Sequence, residues 1–330
     1  MSKTSESGTS TGRAGTTVVG ELPGARRALL AGLGVVFWGY LLLRWSYDRF
    51  VEPDVNVINR EPFVPTGPIE GAADALSSAE SALGVVGTPV GWLAWLAEAA
   101  TLGINNLPAL AEGGLITVQI TVVSILFGLV LAVPLAVARV YGGRVTRWVA
   151  LGYTELIRGT PLLAQLFVLW YGLGWLGPTV RELPGVGVDG PLPTAAVVVA
   201  MIGFTINSSA YQSEYIRSAL SGVDAGQLTA ARSVGLSKLG GIRYVVLPQA
   251  LRFAIPGWTN EFIYLVKYSS LASFITVPEL FQRARNIGED TFQFTEIYVV
   301  VAVFYLGFVL TTAAAMTIVE NRTSIPGLGN

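Results

Sequence analysis

Runs of apolar residues as long as a bilayer is thick recur along most of this chain, and they limit its folds more than any other feature. A hydrocarbon core of about 30 Å takes roughly 20 helical residues to cross. Inside lipid every backbone N–H and C=O must find a partner within the protein, so each run is predicted to be a helix. The first run covers about 28–45, behind Arg26 and Arg27. The stretch 1–27 is rich in Ser, Thr and Gly and reads as a disordered tail. No small-residue cleavage site follows at Trp45–Tyr47, which favours a retained anchor over a cleaved signal peptide. Further runs cover about 115–137, 194–216, 248–266 and 294–319. Another, 148–175, is broken by Glu155, Arg158 and Gly159-Thr160-Pro161 and reads as an interfacial segment turning into a membrane helix. Glu155 and Arg158, three residues apart, are expected to pair on one helix face. The fold class is therefore an all-α integral membrane protein of about six spans.

Composition narrows the chemistry. Only 13% of residues are charged, about half of what a soluble domain carries. Cys and His are both absent, which removes disulfides, zinc clusters and the commonest general base. No catalytic residue, metal site or bound cofactor is expected. Net charge is −1, so there is no basic field for nucleic acid.

Lysine and arginine set the orientation. The segment 46–112 holds Arg49 and Arg60 against acids that include Glu52, Asp54, Glu61, Glu70, Asp74, Glu80, Glu98 and Glu112. Arg139, Arg144 and Arg147 follow the second run, and Arg217, Arg232, Lys238 and Arg243 lie between the fourth and fifth. The basic loops and both termini are thus predicted on the cytoplasmic side of a cell membrane, and the acidic segment outside. Within that segment 52–68 is Pro-rich and reads as extended, and 70–83 has helical spacing. Trp92, Leu93, Trp95 and Leu96 suit an interfacial helix, with a seventh span as the weaker alternative.

The stretch 224–248 carries its own punctuation. Asp224 is placed to cap a helix through Gln227, Leu228, Thr229, Ala230, Ala231 and Val234. Gly235 supplies a stop where φ > 0 is needed. Ser237 then caps a second helix with Leu239, Ile242 and Val246, and Leu247-Pro248 restarts the chain into the fifth run. Small residues at Ala230 and Ala231 would let a partner approach closely. Spacing alone leaves an ordinary amphipathic loop open.

Thr229-Ala230-Ala231, then Gly235, then Val245-Val246-Leu247-Pro248, resembles the "EAA…G…I-x-L-P" loop of ABC importer permeases, with Thr229 in place of the family's Glu and Val245 in place of Ile. Gly114-Leu115-Ile116-Thr117-Val118-Gln119 and Glu155-Leu156-Ile157-Arg158-Gly159-Thr160-Pro161-Leu162-Leu163 with Gln165 are similar to segments of the polar amino-acid permeases. So are Ala210-Tyr211 with Glu214 and Arg217, and Asn260-Glu261 with Lys267, Ser269, Ser270 and Leu271. The resemblance covers about 112–320, a five-helix permease core, with 28–45 as an extra span, 46–111 as an external addition and 321–330 as a cytoplasmic tail.

That resemblance implies a set of partners: separate ABC ATPase subunits that use the ATP, a second permease subunit, identical or paired, and an extracytoplasmic binding protein that delivers an amino acid. This chain has no phosphate-binding G-x-x-x-x-G-K-[ST] loop of its own. Lipid surrounds its spans. Polar side chains retained in a bilayer are candidates for function. Asn207 and Tyr211 in the fourth run, and Asn260, Lys267, Tyr268 and Ser270 around the end of the fifth, are the candidate substrate path. Helix–helix hydrogen bonding is the alternative for Asn207, Ser208 and Ser209. Tyr268 stands where the family often has Asp, which favours a neutral or acidic cargo of the glutamine or glutamate type over a cationic one. Alternatives are an opine, sulfur amino-acid or small-peptide permease, or an ATP-independent carrier or channel.

Overall fold

The computed structural model describes residues 24–51, 60–187 and 193–323. The disordered tail expected up to residue 23, the first part of the extended stretch, 52–59, and the cytoplasmic tail at 324–330 lie outside the described residues. Among the described residues the elements are all helical. Helix α1 spans Gly24–Phe50, α4 Leu107–Tyr141, α8 Ala195–Gly222, α11 Leu247–Tyr268 and α13 Phe294–Thr323. Of these, α4, α8 and α13 are long and apolar enough to cross a membrane among the described residues. Helix α11 carries Arg252, Glu261 and Lys267 and completes the bundle. Both α4 and α11 continue through an internal proline, Pro134 and Pro256, which neighbouring helices make tolerable.

The interrupted run resolves into α5 (Arg144–Arg158), then α6 (Leu162–Phe167), which passes into a π turn. Pro161 has no N–H and pushes Thr160 away from the helical region, so α5 stops there. Gln165 compensates: its Nε2 donates to the carbonyls of Ile157 at 2.7 Å and Thr160 at 3.1 Å. A short α7 (Leu176–Arg181) follows before α8.

Helices α2 (Gly67–Leu83) and α3 (Thr88–Asn105) form a hairpin ahead of α4. Trp95 fixes it to the bundle by donating from Nε1 to Glu296 of α13 at 2.6 Å. Helix α1 lies along α13, where Phe37 meets Phe304 and Phe308 edge-on at 5.8 and 5.4 Å. Gly307 makes room for it, since a Cβ there would stand 3.1 Å from the Phe37 ring. In lipid such close fit, rather than escape from water, holds helices together.

The α4–α8 seam is polar at its centre. Ser124 donates to the Met201 carbonyl at 3.2 Å, and Gln212 donates to the Ile125 carbonyl at 3.1 Å and to Ser208 at 2.9 Å. Ser209 pairs with Tyr153 of α5 at 2.7 Å. Ser209 thus bonds across to α5, whereas Ser208 bonds Gln212 within α8.

Helix α12 (Leu280–Thr291) follows α11 in the chain and packs against α4 and α13. Its cap is Glu279, which accepts from the N–H groups of Phe281 and Gln282 at 2.9 and 2.8 Å and from Tyr305 of α13 at 3.1 Å. Gly113 of α4 allows the close approach: a Cβ there would lie 3.0 Å from the Glu279 carbonyl oxygen and 2.8 Å from Arg283 Cγ.

Candidate functional site

The loop between α8 and α11 is a capped, compact element. Asp224 accepts from the Gly226 N–H at 2.6 Å and starts α9 (Ala225–Ser233). Gly235 has φ +94°, a left-handed geometry. Its N–H donates to the Arg232 carbonyl at 3.1 Å while that of Leu236 reaches Ala231 at 3.1 Å, which is a Schellman stop. Ser237 accepts from Gly240 at 3.1 Å and starts α10 (Lys238–Gly241), which runs through a π turn into α11, with Pro248 in its first turn. Pro248 supplies no N–H to the helical ladder where the π turn passes into α11.

Gln227, Thr229 and Ala230 are exposed, as is Pro248, and Leu247 is half-buried. Ala231 faces inward, 6% exposed, against Gly241, whose added Cβ would stand 3.3 Å from its own. Small size at 231 thus serves the fold of the loop, and small size at 230 keeps its outer face low. Val234 (79%), Leu239 (71%) and Tyr244 (68%) are the most open large apolar groups on this element, and Leu236 is exposed to a lesser degree.

At the same end of the bundle Glu214 of α8 is a charge hub. It binds Arg139 of α4 and Arg217 of its own helix, and Arg158 of α5 stands 3.7 Å away. The expected Glu155–Arg158 pair gives way to this arrangement because α5 turns Arg158 toward α8 and leaves Glu155 exposed. The Arg158 guanidinium also lies over the Tyr211 ring at 5.4 Å. Sequence spacing cannot reveal this hub, since its members come from three helices.

The candidate path residues divide into two groups. Asn207 is 7% exposed and donates to Gln165 of α6 at 3.0 Å, within the packed core. Tyr211 is half-buried beneath Arg158. Asn260, Lys267 and Tyr268, by contrast, share an exposed face of α11, joined by Tyr264, which the sequence reading passed over. Tyr264 and Tyr268 stack at 5.8 Å, and the Lys267 ammonium lies 4.7 Å above the Tyr264 ring. Lys267 and Ser270 open onto a cleft of about 270 Å³ walled by Phe281, Tyr298, Val301, Ala302 and Tyr305. Phe281 and Tyr298 stack at 5.6 Å. Among the described residues Lys267 is the one charged side chain in that lining, so the cleft suits an anionic or polar guest beside aromatic walls. Among the described residues no group of His, Cys, Asp and Glu could hold a metal.

A helical bundle with three helices long and apolar enough to cross a membrane among the described residues, and a capped loop between two of its long helices, is the architecture of an integral membrane protein. The model for the inner membrane component of binding-protein-dependent transport systems matches residues 124–325. The L-cystine transport system permease protein TcyB of Bacillus subtilis (strain 168) is 36% identical over 239 residues, covering 66% of this chain and 96% of the relative. The glutamine transport system permease protein GlnP of Escherichia coli (strain K12) is 36% identical over 219 residues, covering 66% and 94%. A crystal structure of an amino acid ABC transporter with histidines superposes with a TM-score of 0.55 at 32% identity, covering 66% of this chain and 94% of that one. The chain belongs to the binding-protein-dependent transport system inner membrane component family, among its amino-acid ABC importer permeases.

Proposed function

We propose that this chain forms the translocation path of an ATP-driven importer for a neutral or acidic polar amino acid, and that α9 and α10 seat it on a separate ATPase subunit. The observation that carries the docking half is the open apolar set Val234, Leu239 and Tyr244 on an element held rigid by two caps and a Schellman stop. Three large apolar groups left open on one short element that also carries Arg232, Lys238 and Arg243 suit a protein partner. With that loop in the cytoplasm, the Lys267 cleft falls toward the outer side, where a binding protein would release cargo. A second permease subunit would cover the exposed face of α11.

Cargo charge follows from the cleft. An ammonium at Lys267 with no acid in the lining attracts a carboxylate and repels a cationic side chain. Tyr268 adds a phenol to the same face, where an acid would favour lysine or arginine. Similarity to a cystine permease as well as a glutamine one supports a second reading, a sulfur amino-acid cargo on the same path.

The test is competition. Uptake of labelled glutamine into vesicles holding permease, ATPase and binding protein should be displaced by glutamate or cystine and not by arginine or lysine. Preference for a cationic amino acid would overturn the cargo assignment.

A further inference from the structure

We propose that the N-terminal addition is a brace on the wall of the Lys267 cleft, joined to it by a ladder of alternating charges. The ladder starts on α1 with Arg44, 1% exposed. Its Nε and Nη2 bind Asp48 at 3.0 and 2.8 Å, and its Nη1 donates to the Glu61 carbonyl at 2.6 Å. The Phe63 ring closes over it at 4.4 Å. Arg44 thereby clamps the returning chain at 61–63 against α1. Arg60 carries the ladder onward, 3.5 Å from Asp48 and 3.8 Å from Glu112 of α4. Glu112 in turn binds Arg283 of α12 at 2.9 Å.

Arg283 lies two residues after Phe281, which walls the cleft and stacks on Tyr298. The same α12 is fixed at its start by Glu279 and by the close approach over Gly113. A push on α1 therefore reaches the cleft wall through the three ion pairs Asp48–Arg60, Arg60–Glu112 and Glu112–Arg283 and one short helix. Arg44, Asp48 and Arg60 are at most 10% exposed, and charges so buried need their counter-charges, so this part of the ladder resists being pulled apart. The family match begins at residue 124, and Arg44, Asp48, Arg60 and Glu112 all precede it. They are positioning residues that act on the cleft through α12, and their role rests on the transport reading only for its physiological use.

The natural absence of cysteine makes the test clean. Ala302→Cys places one thiol in this chain on the cleft wall, and its alkylation by a membrane-impermeant maleimide can be timed in the reconstituted permease–ATPase complex. Arg283→Gln and Arg60→Gln should each change the alkylation rate by about threefold or more, in the same direction, with the double variant no further displaced than Arg283→Gln alone. Arg60→Lys should keep the parent rate. If Arg60→Gln does not reach the membrane, Asp48→Asn cuts the ladder one pair earlier and carries the same expectation. An unchanged rate on cutting at Arg60 or Asp48, whatever Arg283→Gln does, would overturn the brace. Thiol access needs no cargo, so that failure is separate from a failure of amino-acid uptake in the parent complex.

Discussion

Lys238 donates from its ammonium to the backbone carbonyl of Tyr141 at 2.9 Å, joining the second helix of the loop to the C-terminal end of α4. The last carbonyls of a helix lack partners within it, and a cation there also faces the negative end of the helix dipole. The contact gives any force on α9 and α10 a direct route into α4, besides the covalent one into α11. Lys238→Met should leave thermal stability within about 1 kcal/mol, because the bond is exposed. It should nonetheless reduce cargo moved per ATP hydrolysed, measured side by side in one vesicle preparation.

Gly235 sets the angle between α9 and α10 through its φ of +94°. A β-branched residue meets its own backbone there, at a cost of about 1–3 kcal/mol. Gly235→Val should therefore insert in the membrane yet lose co-purification with the ATPase, whereas Thr229→Ala on the neighbouring exposed surface should retain most of it. Intact association in the valine variant would remove the loop from the docking role.

Glu214 neutralises one of three arginines that converge on it. Glu214→Gln leaves those guanidiniums facing one another in a partly buried site, which is expected to cost about 1–3 kcal/mol. Thermal unfolding in detergent should show a clear fall in the midpoint. Glu155→Gln, on the exposed side of α5, should not move it.

Much of this fold is legible in the chain itself, where the signal is local. The apolar runs lie within α1, α4, α8, α11 and α13, the break at Gly159-Thr160-Pro161 falls between α5 and α6, and the caps at Asp224 and Ser237 and the stop at Gly235 are where their side chains and backbone freedom place them. Pairings between distant segments are not legible. Spacing links Arg158 to Glu155, and only the packing of α5 on α8 turns it to Glu214. Likewise Ala231 looks equivalent to Ala230 until α10 covers one of them. Asn207 and Asn260 are both polar residues in apolar runs, yet one is bonded to Gln165 in the core and the other lies open on α11.

Tyr268 shares the α11 face with Lys267 and stacks on Tyr264. Tyr268→Asp places a carboxylate beside the cleft and should draw a cationic side chain by about 1 kcal/mol or more at this partly exposed site. Arginine and lysine should then become better competitors of glutamine uptake, by about fivefold or more. Equal competition before and after the substitution would detach this face from cargo choice.

The central claim is that this chain moves an amino acid at the expense of ATP hydrolysed by a partner docked on α9 and α10. Its most direct test is the initial rate of labelled glutamine entry into proteoliposomes with permease, ATPase and binding protein, compared with and without ATP on the ATPase side. The account predicts uptake that needs ATP and binding protein together and that disappears in Gly235→Val. Uptake that proceeds on an ion gradient without ATP or the ATPase would contradict it.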